Sequence, residues 1–254
     1  MKARLAEEWI IFLLAVQFLT RLPTPADPGW NTERMAATPR WYPAVGALVG
    51  ALSAAVFWLA SLVLPPLAAV LLAVAAGVVA TGALHEDGFA DCCDGLGGAV
   101  SRERALEIMR DSRLGAYGAL GLGLIIALKV VALAGTAMPV VPFALIAGHA
   151  LSRASAVVVI ATSTYARDEG AGKPVASASG SLPVALGAAA LATVPLVVTV
   201  PPAGVLAGFL GLAAGHVLMR RAFERRLGGY TGDCLGAVQQ LSEVGFYLGL
   251  LAAL

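Results

Sequence analysis

The residues most able to do chemistry lie in one run, His85-Glu86-Asp87-Gly88-Phe89-Ala90-Asp91-Cys92-Cys93-Asp94-Gly95. Read as a helix, Asp87, Asp91 and Asp94 fall at i, i+4 and i+7 and share one narrow face. Three carboxylates so placed repel one another, which is costly at the mouth of a membrane span unless a cation sits among them or their pKa values rise. Hard oxygen ligands favour Mg²⁺ or Mn²⁺ over zinc, for which Cys and His would be expected. Asp87, Asp91 and Asp94 are therefore the candidate metal ligands and catalytic acids. Glu86 falls about 100° round the helix from Asp87 and is the weaker ligand. Gly88 and Gly95 each follow an acid and read as room for a bulky ligand close to the backbone. The competing reading is a solvated charged loop that caps a membrane helix.

Two further polar clusters favour the chemical reading. Arg110-Asp111-Ser112-Arg113-Leu114-Gly115-Ala116-Tyr117-Gly118 supplies two arginines, a fourth acid and a glycine-rich helix start, a combination suited to a phosphate. Arginine beside an acid is equally a structural ion pair, and Arg102 and Arg104 are ordinary topology determinants. Gly228-Gly229-Tyr230-Thr231-Gly232-Asp233-Cys234-Leu235-Gly236 precedes the final apolar stretch, with Gln239, Gln240 and Glu243 inside it. A charge within a span must face a polar interior, so Glu243 is expected to point towards the same cavity, although Gln240 and Glu243 also fit a simple interhelical hydrogen-bond pair. Arg153, at i+4 from His149, lies near enough to the boundary to meet a phosphate, whereas His149 reads as a satisfied buried histidine. Lys129 snorkels or pairs. The connector at 165–173 has charge and glycine but not the spacing or strand of a phosphate loop, and is read as a lid candidate.

The elements that must carry these residues are membrane helices. Of 254 residues 59% are hydrophobic and 13% charged, against roughly a quarter charged in a soluble domain. The solvent is a bilayer. A net charge of +1 gives no reason to expect a nucleic-acid partner. Three cysteines, Cys92, Cys93 and Cys234, match neither a disulfide framework nor a zinc spacing and read as reduced thiols. The start resembles a signal peptide, but Leu22-Pro23-Thr24-Pro25 is not a small-residue cleavage site, so it is expected to be retained.

Seven stretches approach the roughly 20 apolar residues that a crossing needs: 42–64, 66–84, 114–138, 140–162, 182–200, 203–219 and 235–254. The expectation is an all-α, polytopic integral membrane bundle, one membrane-embedded catalytic domain over 1–254. The apolar run at 9–19 is too short to cross and reads as an interfacial or re-entrant helix. Basic residues concentrate in three connectors, at Arg102 to Arg113, Arg167 to Lys173 and Arg220 to Arg226, which puts these on the cytoplasmic side. The proline-marked turns at Leu64-Pro65-Pro66, Met138-Pro139 and Val200-Pro201-Pro202 carry no charge and fall on the far side. With seven spans, 21–41 is cytoplasmic and Leu254 extracytoplasmic. Abundant Gly and Ala permit close helix approach without a large pore.

Three motifs in order resemble the cobalamin synthase (adenosylcobinamide-GDP ribazoletransferase) family: His85-x-Asp87-Gly88-x-Ala90-Asp91-x-x-Asp94-Gly95, Arg110-Asp111-Ser112-Arg113-x-Gly115-x-Tyr117-Gly118, and Gly228-Gly229-x-Thr231-Gly232-Asp233-x-Leu235-Gly236-Ala237. The likeness extends to Phe18-Leu19-Thr20-Arg21-Leu22-Pro23 and Tyr42-Pro43-x-x-Gly46. Cys92-Cys93 stand where Thr or Ala is commoner, and Tyr230 where Gln is, which bears on a substrate contact rather than on the metal ligands. The resemblance implies that the 3′-hydroxyl of α-ribazole or its 5′-phosphate attacks the phosphate bearing the cobinamide arm of adenosylcobinamide-GDP, with GMP leaving. It implies Mg²⁺ held by Asp87, Asp91 and Asp94, with a second ion lowering the pKa of the attacking hydroxyl. Arg110, Arg113, Arg153, Thr231 and Asp233 form the candidate phosphate-binding set, and Asp111, Asp233 and His85 are candidates for a general base. The resemblance also implies the bacterial cytoplasmic membrane with the site facing the cytoplasm, and leaves room for a homo-oligomer or for association with other cobalamin-assembly enzymes. A CDP-alcohol phosphatidyltransferase would want Asp-x-x-Asp-Gly-x-x-Ala-Arg, but Ala90 is followed by Asp91. A secondary transporter would place its ionisable groups near the midplane on broken helices, not at one edge.

Overall fold

The computed structural model describes residues 2–98, 101–167, 173, 175 and 180–254, and most of the lid candidate, at 168–172, lies outside them. The described helices are α1 (Lys2–Leu19), α2 (Thr32–Ala37), α3 (Tyr42–Ser61), α4 (Pro66–Thr81), α5 (Leu84–Gly98), α6 (Arg102–Ile108), α7 (Ala116–Gly135), α8 (Val141–Thr162), α9 (Ser181–Thr199), α10 (Pro202–Leu227) and α11 (Gly232–Ala253). A single turn of 3₁₀ helix, Thr38–Trp41, joins α2 to α3. No strand occurs among the described residues, so the chain is an all-helical membrane bundle.

The count of seven spans is not confirmed among the described residues. Among the described residues five helices are long and apolar enough to cross: Thr32–Ser61 taken through its 3₁₀ turn, α7, α8, α9 and α10. A sixth forms only if α4 and α5, bent by 89°, are taken together as one broken or re-entrant span. The expected span at 66–84 stops at Thr81 after 16 residues. At about 1.5 Å per residue that is roughly 24 Å, short of the ~30 Å hydrocarbon core. The break has a local cause. Gly82 takes φ 63° and caps α4 through its N–H, and Ala83 follows at φ 60°. Two successive left-handed residues turn the chain sideways, a conformation easy for glycine and strained for alanine. The expected last span, α11, has length enough at 22 residues but falls outside the apolar set, because Asp233, Gln239, Gln240 and Glu243 interrupt it.

α11 is instead a central helix, packed against α10, α5, α8 and α7. α8 is equally interior. The outer helices present apolar side chains outwards, such as Leu120, Leu124 and Val131 on α7 and Leu206, Leu210 and Leu218 on α10. Such a surface is stable only against lipid. α1 begins well before residue 9 and is tied to its neighbours by charge: Arg34 Nε donates to Glu7 at 2.7 Å, Arg40 to Glu8 at 2.9 Å and Trp41 Nε1 to Glu8 at 3.0 Å.

The basic connectors meet at one end of the bundle. Arg102 Nε donates to Leu227 O at 2.8 Å and its Nη2 to Ala166 O at 2.9 Å, which joins α6, the end of α10 and the chain after α8. Beside it the Ala166 N–H donates to Tyr230 O and the Tyr230 N–H to Thr164 O, at 2.8 and 2.9 Å.

Candidate functional site

The acidic run is helical, as its spacing implies, and the sideways turn at Gly82 carries it across the end of the bundle as α5. There α5 crosses α11. A Cβ on Gly88 would meet Asp233 O at 2.9 Å and Asp233 Cα at 3.0 Å, and one on Gly236 would meet His85 O at 3.0 Å. Gly88 thus makes room for the neighbouring helix and also lines the cavity beside it. Gly95 likewise faces the Met109 side chain. The close approach has a chemical result, since it sets Asp87 and Asp91 of α5 within electrostatic reach of Asp233.

Asp87 is exposed and Asp91 half-buried, and neither carboxylate accepts a protein hydrogen bond among the described residues. Asp233 is 2.9 Å from Arg167 Nη2 and accepts from Thr231 Oγ1 at 3.2 Å. Arg167 Nη2 is thus engaged by Asp233, and among the described residues Arg167 Nε is a buried donor with no hydrogen-bond partner. By sequence Arg167 is a topology marker and part of the lid candidate, not a site residue. What brings it to the site is the Thr164–Tyr230 contact, which joins two segments more than sixty residues apart and leaves no local signal.

Asp94 is turned elsewhere. Its two oxygens accept the Gly115 and Gly118 N–H groups, each at 2.8 Å. A carboxylate on the first turn of a helix satisfies donors the helix cannot and complements its dipole. The glycine-rich start of α7, suited by sequence to a phosphate, is therefore occupied by the protein's own anion. Among the described residues no group of three or more Asp, Glu, His or Cys side chains closes on a single metal position. Cys92 and Cys234 are free and 3.9 Å apart at sulfur.

Arg110 and Arg113 are exposed, and Arg113 Nε donates to Asp111 at 3.0 Å. The Arg113 side chain, then its N–H, pulls the Asp111 carboxyl down to about 2. Thr231 is fully buried and caps α11, accepting from the Cys234 N–H at 3.4 Å.

Below the carboxylates lies a buried polar network. Lys129 Nζ is 3.0 Å from Glu243 Oε1 and donates to Gln240 Oε1 at 3.0 Å. Gln239, not Gln240, donates to Glu243, and Gln240 donates to Glu86 at 2.9 Å. Glu86 Oε2 is left unpartnered. Arg153 Nη1 donates to His149 O at 3.0 Å, its Nε is an orphan, and Arg153 and His85 line both this network's small void and the larger cavity above it. Glu243 therefore faces a polar interior, as a charge within a bundle must, and Lys129 pairs. The larger cavity, about 170 Å³, also has Asp87 and Asp233 in its wall.

The unpartnered carboxylates fit a divalent cation. Mg²⁺ is commonly held by one or two carboxylates with substrate phosphates and water completing the shell, which is what Asp87 and Asp91 can offer. The buried orphan donors of Arg167 and Arg153 fit phosphate oxygens.

Comparison with known proteins follows the same lines. The cobalamin-5-phosphate synthase family model matches residues 11–251. The chain is 49% identical over 262 residues to the adenosylcobinamide-GDP ribazoletransferase of Leptothrix cholodnii, covering 98% of each chain. It is 43% identical to the enzyme of that name from Shewanella frigidimarina, covering 95% of this chain and 94% of the relative, and 41% identical to that from Ralstonia pickettii, covering 98% and 97%. No solved structure matches. A model match over nearly the full length, with relatives this similar, means that the chain belongs to the cobalamin-5-phosphate synthase family.

Proposed function

We propose that this chain joins α-ribazole, or its 5′-phosphate, to adenosylcobinamide-GDP with release of GMP, as an Mg²⁺-dependent transferase of the bacterial cytoplasmic membrane. Its site faces the cytoplasm, where the basic connectors gather. The observation that carries this reading is Asp87 and Asp233 in the wall of one cavity, with Asp91 and Arg167 close beside them, in a member of this family.

In the reaction the ribose hydroxyl oxygen forms a new bond to the phosphorus bearing the cobinamide arm, the bridging oxygen departs with GMP, and the hydroxyl proton is released to a base. Asp87 and Asp91 would hold Mg²⁺, with Mn²⁺ as a substitute. When bound, the ion neutralises the diphosphate and the charge that develops on the leaving GMP. Arg167 and Arg153 direct donors at phosphate oxygens. Asp233 receives the hydroxyl proton, since it lines the cavity, whereas Asp111 is locked to Arg113 and has little basicity at neutral pH. Asp94 positions α7 against α5 instead of completing the metal shell. Arg110 and Arg113 stay exposed on the α6–α7 connector, with Arg113 held by Asp111, and neither lines the cavity. The corrinoid and the ribazole are the partners this assigns, with the bilayer as solvent.

The test is an assay of detergent-solubilised protein with adenosylcobinamide-GDP and α-ribazole phosphate. GMP should appear, stop on addition of chelator and return with Mg²⁺; activity insensitive to chelator would refute the metal-assisted mechanism.

A further inference from the structure

The cavity of about 170 Å³ is walled by Phe18, Leu19, Tyr42, Leu84, Ala156 and Leu235 from five helices. Polar side chains enter its lining only as His85, Asp87, Arg153 and Asp233 among the described residues. The Phe18 and Tyr42 rings, near-parallel at 15° with centroids 6.2 Å apart, both belong to its wall. The Tyr42 hydroxyl accepts from Thr38 at 3.4 Å.

Size and lining restrict the occupant. An apolar cavity of roughly 150 Å³ takes up benzene. One slightly larger, open beside Asp87, takes a single flat fused-ring base and has no room for a corrin macrocycle. Guanine carries donors and acceptors on most of its edge, and beyond His85, Asp87, Arg153 and Asp233 the wall is apolar and offers that edge no partners. A benzimidazole bearing methyl groups has an apolar edge and suits them. A base seated here leaves its ribose at Asp87 and Asp233, where the attacking hydroxyl is needed.

We propose that this cavity seats the benzimidazole base of the ribazole substrate and thereby sets which nucleoside the enzyme accepts. The assignment rests on the transferase reading above and adds to it the half-reaction the cavity serves.

Full-length protein in detergent with Mg²⁺ tests it, with GMP release measured while each substrate is varied in turn. Leu84 is 42% exposed, so Leu84→Ala widens the cavity without loss of fold. The Leu84→Ala variant should raise kcat/KM for a naphthimidazole riboside relative to dimethylbenzimidazole riboside on the order of tenfold, the usual scale for small changes in a hydrophobic pocket. Ala156→Leu narrows the same space and should raise KM for α-ribazole on the order of tenfold while leaving KM for adenosylcobinamide-GDP unchanged. If Ala156→Leu fails to accumulate, the Leu84→Ala ratio decides alone. An unchanged base preference in Leu84→Ala, or a rise in KM for adenosylcobinamide-GDP instead, would overturn the assignment while the wild type still releases GMP. A wild type that releases no GMP would overturn the transferase reading itself.

Discussion

Asp91 lies one turn beyond Asp87 on α5, beside Asp233 and Arg167 and, among the described residues, without a protein donor of its own. A carboxylate left in that state keeps its lone pairs available to a cation. Asp91→Asn preserves shape and removes the charge, so it should lower kcat by roughly 10³-fold, the scale of the several kcal/mol a bound metal supplies. Protein yield in membranes should be unchanged, and Mg²⁺ titration of residual activity should show weakened dependence; wild-type turnover would remove Asp91 from the site. Asp111 gives the opposite expectation. Its carboxyl is pulled down to about 2 by Arg113. Whatever the pair contributes to stability is present above the ordinary carboxylate range and is lost only as pH falls through about 2. Asp111→Asn should therefore leave the acid limb of the kcat/KM profile above pH 5 in place, measured as GMP release across pH. A limb that disappears in this variant would make Asp111 the titrating base.

At the scale of elements, the crossing of α5 over α11 decides whether the site exists. Gly88 has Asp233 backbone atoms at 2.9 and 3.0 Å from where a Cβ would stand, and backbone yields less readily than a flexible side chain. Gly88→Ala should separate the helices by a few tenths of an ångström and destabilise by about 1–3 kcal/mol. Activity should fall further than stability, because the displaced atoms belong to Asp233. Thermal unfolding in detergent read beside kcat separates the two effects; full activity with an unchanged melting temperature would mean the crossing is slack. Asp94 acts at the same scale. By accepting the Gly115 and Gly118 N–H groups it pins the start of α7 to the end of α5.

For the molecule as a whole, the three basic connectors lie at one end, joined by Arg102 and by the Thr164–Tyr230 contact. The polar network of Lys129, Glu243, Gln239, Gln240 and Arg153 supports that end from below. Each of these charges would be costly in lipid and is acceptable only because the outer helices enclose it. Reporters fused after Arg226 and after Leu254 should report opposite sides of the membrane, since α11 at 22 residues has the length to return the chain across. Both reporters on one side would show that α11 ends within the bundle.

The apolar runs, the helical spacing of Asp87, Asp91 and Asp94, and the three glycine-acid motifs are properties of neighbouring residues, and the sequence by itself determined the membrane bundle, the acidic helix and the family. An apolar stretch of the sequence does not show where its helix ends or what surrounds it: α4 stops short at Thr81, and α11 lies at the centre, packed against α10, α5, α8 and α7. Only the tertiary structure decided the 89° turn at Gly82, which aims α5 across the bundle, and the duty of Asp94 as a cap for α7. It alone placed Arg167 beside Asp233. Those arrangements depend on contacts between residues far apart in the chain, and a contact of that kind has no period or spacing for a sequence to display.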